Sequence, residues 1–258
     1  MSGPFLYHVQ YFRTVRESER EVLDFLSRRK FTVLFSGGKD SLASLLWVLE
    51  YVNHNNWDIL YIEIPENTHP ECTAYVKKVC EDLDILGKLR VAKREDLEFY
   101  ACLRKWGIPM VRGNRWCLWK FKMEVMLNKS HIVQVTGMRR GDSVIRKVLR
   151  PVHVFRLTSK VGVQPLLEWS KEEVIDFIKD HGVKVNPCYT RYGHSGNCMF
   201  CPYLRRDQIV RTLADPEWRE KILDAMKVAP AKGPWTRKIK EKWLKLANQV
   251  TLVSFLEK

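Results

Sequence analysis

The 258-residue sequence has no apolar run approaching the roughly 20 residues that a membrane-spanning helix needs, which argues against a membrane-embedded chain. The apolar stretch 7–12 is followed at once by Arg13, Arg16 and Glu17, unlike a secretory leader, so a cytoplasmic location is expected. The pattern G-x-x-x-x-G-K-[ST] is missing, which sets aside the kinase and GTPase type of phosphate loop. No internal repeat or low-complexity segment is present. The histidines, at 8, 54, 69, 131, 153, 181 and 194, include no i, i+4 pair. No catalytic histidine is therefore nominated, and His194, near several cysteines, is a candidate supporting group. Seven cysteines make an odd number, and none follows Cys201. That count fits metal or redox chemistry better than a secreted disulfide framework.

Acidic residues are also in short supply, 30 against 44 Lys and Arg, for a net charge of +14. The excess is local: residues 1–87 carry −4, 88–160 carry +13, 161–202 carry −1 and 203–258 carry +6. A few cations suffice for a nucleotide, whereas a basic surface this extended suits a nucleic acid. Lys120 and Lys122 are candidate contacts, and a solvated basic face without a partner is the alternative. Trp235 and Trp243, interleaved with lysines, are candidates for base stacking or, more simply, for packing on the rest of the chain.

What is present is concentrated at Ser36-Gly37-Gly38-Lys39-Asp40-Ser41, between the apolar run 31–35 and the helical pattern 42–52. A strand that turns through two glycines into a helix start exposes backbone N–H groups at the positive end of a helix dipole, which attracts phosphate. Asp40 or Ser41 is expected to cap the free amides, Lys39 adds charge and Asp40 is placed to orient Mg²⁺.

The spacing predicts helices over 18–29, 41–52, 72–83, 97–106, 117–127 and 171–179, and strands over 31–35, 59–64, 89–92 and 132–136. Alternating strands and helices imply an α/β fold with a doubly wound, mostly parallel sheet, Rossmann-like. Residues 1–30 read as an N-terminal helical segment, 31–202 as the main domain and 203–258 as a basic helical extension broken at Pro216 and at 230–234. Gly137, Arg139 and Arg140 follow a strand and so fall at the carboxyl edge of the sheet, where such folds bind ligands. Their guanidinium groups suit phosphate or sulfate oxygens, and Arg115 is a third candidate for this anion clamp.

Cys198-Met199-Phe200-Cys201-Pro202 holds two thiols at a spacing that shares a metal or cluster, and Cys117 and Cys188 are available to complete four ligands. An iron–sulfur cluster, zinc, a redox disulfide and unliganded thiols all remain open. Cys72, Cys80 and Cys102 lie in apolar helical patterns and read as core.

The loop S-G-G-K-D-S after a first strand resembles the PP-loop of the adenine nucleotide α-hydrolase-like superfamily, which binds the pyrophosphate end of ATP or a related anion. Gly107 to Pro109 with Arg115-Trp116-Cys117, Gly137-Met138-Arg139-Arg140-Gly141-Asp142-Ser143, Gln164-Pro165-Leu166-Leu167-Glu168-Trp169 and Asn186-Pro187-Cys188-Tyr189 are similar, in order, to motifs of the phosphoadenosine phosphosulfate (PAPS) reductase family. Asn67-Thr68 resembles that family's D-T-G segment, which marks Thr68 as nucleotide-binding, although Asn replaces Asp and His69 replaces Gly. The resemblance implies a [4Fe-4S] cluster on Cys117, Cys188, Cys198 and Cys201, with Zn²⁺ as alternative; Cys188 stands where the family has Leu. It further implies an ATP-using enzyme, with Asp40, Arg139 and Arg140 catalytic, that splits ATP to AMP and pyrophosphate. Sulfur then passes to a nucleic acid, tRNA ahead of DNA, with a sulfur-donor or electron-donor protein as partner. A sulfonucleotide reductase is the alternative, set back by the missing cysteine after Cys201, and a noncatalytic nucleotide-binding module is a second.

Overall fold

The computed structural model describes residues 15–110, 115–155 and 158–256, with side chains described as far as residue 250. Expectations for residues 1–14 lie outside this range. The first helix, α1 (Glu17–Leu26), precedes β1 (Phe31–Leu34), α2 (Lys39–Tyr51), β2 (Trp57–Ile62), α3 (Pro70–Asp82), β3 (Leu89–Ala92) and α4 (Phe99–Trp106). A composite helix follows: α5 (Trp116–Leu118), a π-helical turn (Trp119–Met123) and α6 (Glu124–Lys129). Then come β4 (Val133–Val135), β5 (Val152–Phe155), β6 (Lys160–Val163), α7 (Lys171–Asp180), α8 (Cys188–Tyr192), α9 (Arg206–Ala214), α10 (Pro216–Val228) and α11 (Pro234–Leu256).

The strands form one sheet in the order β3-β2-β1-β4-β6-β5, parallel except for the β5–β6 pair. The expected α/β fold with a mostly parallel sheet is the one observed. Strands β1 and β4 are parallel neighbours joined by a long excursion through β2 and β3, so the order in which strands are added to the sheet reverses between them. The crevice at their carboxyl ends receives the loop 35–38 from β1 and residues 136–137 from β4. The central strands are buried and largely apolar, as in Phe31, Val33, Ile59, Tyr61, Val133 and Val135, with Thr32 and Gln134 buried among them. Helix α2 is buried over most of its surface, from Leu42 to Val48, because it lies between the sheet and α7.

The helices after residue 203 are held by the same core. Trp243 is fully buried with its ring centroid 4.9 Å from that of Phe200, so it packs rather than waits for a base. Gly107, at φ +82°, lets the chain pass under Pro230, whose carbonyl oxygen would lie 2.1 Å from any Cβ there. No helix among the described residues is long and apolar enough to cross a membrane.

Candidate functional site

The loop after β1 is braced from outside rather than capped from within. Gly38, the cap residue of α2, has no side chain to offer, and neither Asp40 nor Ser41 fills that role. The Lys39 amide donates to the Tyr189 hydroxyl at 3.2 Å, and Asn186 Nδ2 donates to the Gly37 carbonyl at 3.1 Å. The Asn186-to-Tyr189 segment thus holds the loop's shape. Ser41 Oγ accepts from the Ser36 amide and donates to the Gly38 carbonyl, closing the turn. The remaining N–H groups of the first helical turn are left for an anion.

A cavity of about 280 Å³ opens over this loop, lined among others by Ser36, Gly38, Asp40, Ser41, Lys122, Gly137 and Asn197. Of the nucleotide-binding candidates, Gly37, Lys39, Thr68 and Arg115 do not line it. Gly137 acts by close approach: a Cβ there would sit 2.5 Å from the Asp40 carbonyl. Thr68 spends its hydroxyl on structure, accepting from the Ile64 amide and donating to the Asn197 carbonyl. Arg115 lies over the Tyr203 ring.

The expected arginine clamp comes apart in the structure. Arg139 is 2% exposed; its Nε is 3.0 Å from Asp40 Oδ1, a charge contact rather than an aligned hydrogen bond, and its Nη2 bonds Asp142 at 2.7 Å. Arg140 turns outward to Glu168 at 2.8 Å and to the Leu149 carbonyl. Both guanidinium groups are already paired and neither lines the cavity, so Arg139 positions Asp40 instead of gripping an anion.

The C-x-x-C loop is stitched to the end of β2. Asn67 Oδ1 accepts from the Phe200 amide at 2.7 Å and its Nδ2 donates to the Phe200 carbonyl at 3.1 Å. The Met199 amide donates to the Asn67 carbonyl, and the His69 amide to the Gly196 carbonyl. Asn67, the residue that departs from the expected Asp, is thus the clamp of the cysteine loop.

Cys117, Cys198 and Cys201 are electrostatic neighbours, and Lys122 is the cation among them. Burial pushes the Cys117 thiol up to about 11 and Cys201 to about 12, while the neighbouring Cys198 side chain raises the Lys122 ammonium above its ordinary range. Lys122 Nζ donates to Asn197 Oδ1 at 3.1 Å, and both residues line the cavity over the loop. The sequence reading of Lys122 as a surface contact for nucleic acid is corrected by this inward position. Lys120 stays on the surface, paired with Glu124 at 2.6 Å.

Cys188 joins a different group. Its thiol sits with His69 and Glu71, with ligand atoms all within 4.8 Å, the grouping of this kind that the described residues form. Cys117, Cys198 and Cys201 stand apart from that group. The donor set fits an iron–sulfur cluster: three thiols converge, and one ammonium offsets part of the negative charge that their thiolates bring.

The phosphoadenosine phosphosulfate reductase domain family matches the chain over residues 30–203. An uncharacterized protein of Methanocaldococcus jannaschii is 23% identical over 204 residues, 74% of this chain and 41% of that relative, so the chain spans less than half of it. The adenosine 5'-phosphosulfate reductase of Streptomyces coelicolor is 35% identical over 66 residues, 26% of this chain and 28% of the relative. Among solved structures, a PAPS reductase from Candida auris has a TM-score of 0.48 at 19% identity, covering 68% of this chain and 85% of that one. The U34-tRNA thiolase NcsA from Methanococcus maripaludis, with its [4Fe-4S] cluster, has a TM-score of 0.45 at 16% identity, covering 91% and 78%.

Proposed function

Because the chain belongs to the phosphoadenosine phosphosulfate reductase domain family, we propose that it is a PP-loop enzyme using ATP, split to AMP and pyrophosphate, to drive sulfur transfer to a nucleic acid. The observation that carries this reading is a shared wall: Lys122 and Asn197 line the nucleotide cavity, and the same lysine stands among Cys117, Cys198 and Cys201. Nucleotide activation and sulfur chemistry then occupy one site.

In this account the open amides at the start of α2 take the β and γ phosphates, and Asp40, steadied by Arg139, orients Mg²⁺. Gly38 keeps the floor of the cavity free for phosphate. Lys122 faces the phosphate that bears the leaving group and holds its negative charge near the thiols. Cys117, Cys198 and Cys201 would hold the iron–sulfur cluster, which supplies sulfur-handling chemistry when bound and, with three protein thiolates, leaves one iron to an outside ligand. The acceptor is a nucleic acid, with tRNA ahead of DNA, on the +13 charge of residues 88–160. A sulfur-donor or electron-donor protein is the second partner.

The test is anaerobic incubation of cluster-loaded protein with ATP, sulfide and either tRNA or duplex DNA, followed by nucleoside mass spectrometry. A thiolated nucleoside from tRNA alone is expected. Both nucleic acids unchanged, with sulfite released in a parallel incubation with a sulfonucleotide and a thiol reductant, would transfer the assignment to a reductase.

A further inference from the structure

His69 and Cys188 are the two positions, one in each of two separate motifs, where the chain replaces the family's Gly and Leu, and the fold brings them together. His69 is the N-cap of α3, Glu71 lies in its first turn and Cys188 opens α8. Glu71 Oε2 is 3.9 Å from His69 Nδ1 and 3.8 Å from Cys188 Sγ. Tetrahedral zinc, with bonds of about 2.0 to 2.3 Å, places its ligand atoms roughly 3.3 to 3.8 Å apart, so only a small closure is needed. Cys188 is fully buried, and Gly196, at φ +75°, is pressed over it; a Cβ there would lie 2.8 Å from the sulfur. Glu71 is half-exposed and leaves the group open to solvent on one side.

The far side of the imidazole is oriented as a metal ligand requires. Tyr192 donates its hydroxyl proton to Asp215 at 2.6 Å, so its oxygen accepts from His69 Nε2 at 3.0 Å. The ring proton is thereby fixed on Nε2, and the Nδ1 lone pair faces Glu71 and Cys188. A histidine whose second nitrogen donates into a carboxylate-anchored chain is the usual outer arrangement of a metal site. Without metal, Nδ1 accepts the Glu71 amide at 3.1 Å, a single hydrogen bond at a helix start that coordination would replace.

We propose that His69, Glu71 and Cys188 form a mononuclear zinc site, completed by a water molecule and separate from the three-thiol group. One thiolate, one imidazole and one carboxylate form a borderline-soft donor set that suits Zn²⁺ rather than Mg²⁺ or Ca²⁺. On binding, the Cys188 thiol gives its proton to solvent and its sulfur pair to the metal. Zinc here would tie α3 to α8, two residues from the Asn186 brace and one from the Tyr189 brace of the phosphate loop.

The test uses Co²⁺ as a zinc probe in the full-length chain with Cys117, Cys198 and Cys201 all changed to Ser. One bound Co²⁺ is expected, with tetrahedral visible bands and a near-ultraviolet thiolate band that Cys188→Ser abolishes. Failure of that chain to bind Co²⁺, or a thiolate band that survives Cys188→Ser, would overturn the proposal. Should the triple variant not fold, zinc and iron are counted in otherwise wild-type Glu71→Ala. Loss of one zinc with iron retained supports the site, and an unchanged zinc count refutes it. Neither readout depends on ATP use or sulfur transfer.

Discussion

Gly37 and Gly38 are adjacent yet serve different ends. Gly37 adopts φ +74°, and a Cβ would fall 2.8 Å from Cys72 Sγ, so Gly37→Ala should cost about 1 to 3 kcal/mol of stability. Gly38 has an ordinary φ of −87°, and a Cβ would meet nothing nearer than 3.5 Å, so Gly38→Ala should fold normally and place its methyl where phosphate sits. Thermal melting and nucleotide titration check both: Gly37→Ala lowers Tm, and Gly38→Ala keeps Tm while weakening ATP binding at least about tenfold. Lys122 is the residue that sequence reading misplaced, for a geometric reason. Cys117 and Lys122 are five apart, which puts them about 140° from each other around an α-helix. The π-helical turn, with the Glu124 amide bonded to the Trp119 carbonyl, bonds i to i+5 and brings them toward one face. Lys122→Met should therefore raise the KM for ATP and reduce the iron retained after anaerobic purification, two effects that a surface lysine would not produce together.

At the scale of elements, the helices were legible because their periodicity and caps are strong. The capping box of Ser170 with Glu173 is an example, and α7 begins where it predicts. β5 and β6 were not read: each has four residues, and His153, Lys160 and Gly162 interrupt any apolar pattern. Their antiparallel pairing fills the edge beyond β4. The cysteine loop was visible as a motif, but its clamp was not, since Asn67 acts through backbone groups 133 residues away. Asn67→Ala should leave the Phe200 amide and carbonyl unpaired in the core and cost roughly 2 to 4 kcal/mol, with loss of iron, as followed by denaturation and metal analysis. Acid should loosen the join between the 193–196 loop and α9. His194 Nδ1 accepts from the Gly196 amide, so Nε2 carries the proton toward Thr212, and burial lowers the pKa to about 4. Folding thus favours the neutral ring: this stabilisation is complete above the ordinary value near 6.5 and is lost as pH falls toward about 4. Denaturation between pH 7 and about 4.5 should show a decline of order 2 kcal/mol that His194→Gln flattens.

For the whole molecule, the sheet's switch point gathers what the sequence scatters. The phosphate loop after β1, Gly137 after β4, Lys122 beyond the π turn and Asn197 beside Cys198 meet around one cavity. The order of strands predicts that the loop after β1 and Gly137 after β4 meet there, but not that Lys122 and Asn197 join them. The sorting of cysteines into a group of three and a separate Cys188 depends instead on how α8 packs against α3, which no linear spacing records. Of the basic residues in 88–160, Lys93, Lys129, Lys147 and Arg150 are all exposed. The central claim, that this cavity activates ATP beside the thiols, is tested most directly by the products of ATP turnover in anaerobically purified protein with Mg²⁺ and tRNA. AMP and pyrophosphate in equal amounts, abolished in Gly38→Ala, are the predicted result; ADP and phosphate, or turnover unaffected by Gly38→Ala, would contradict it.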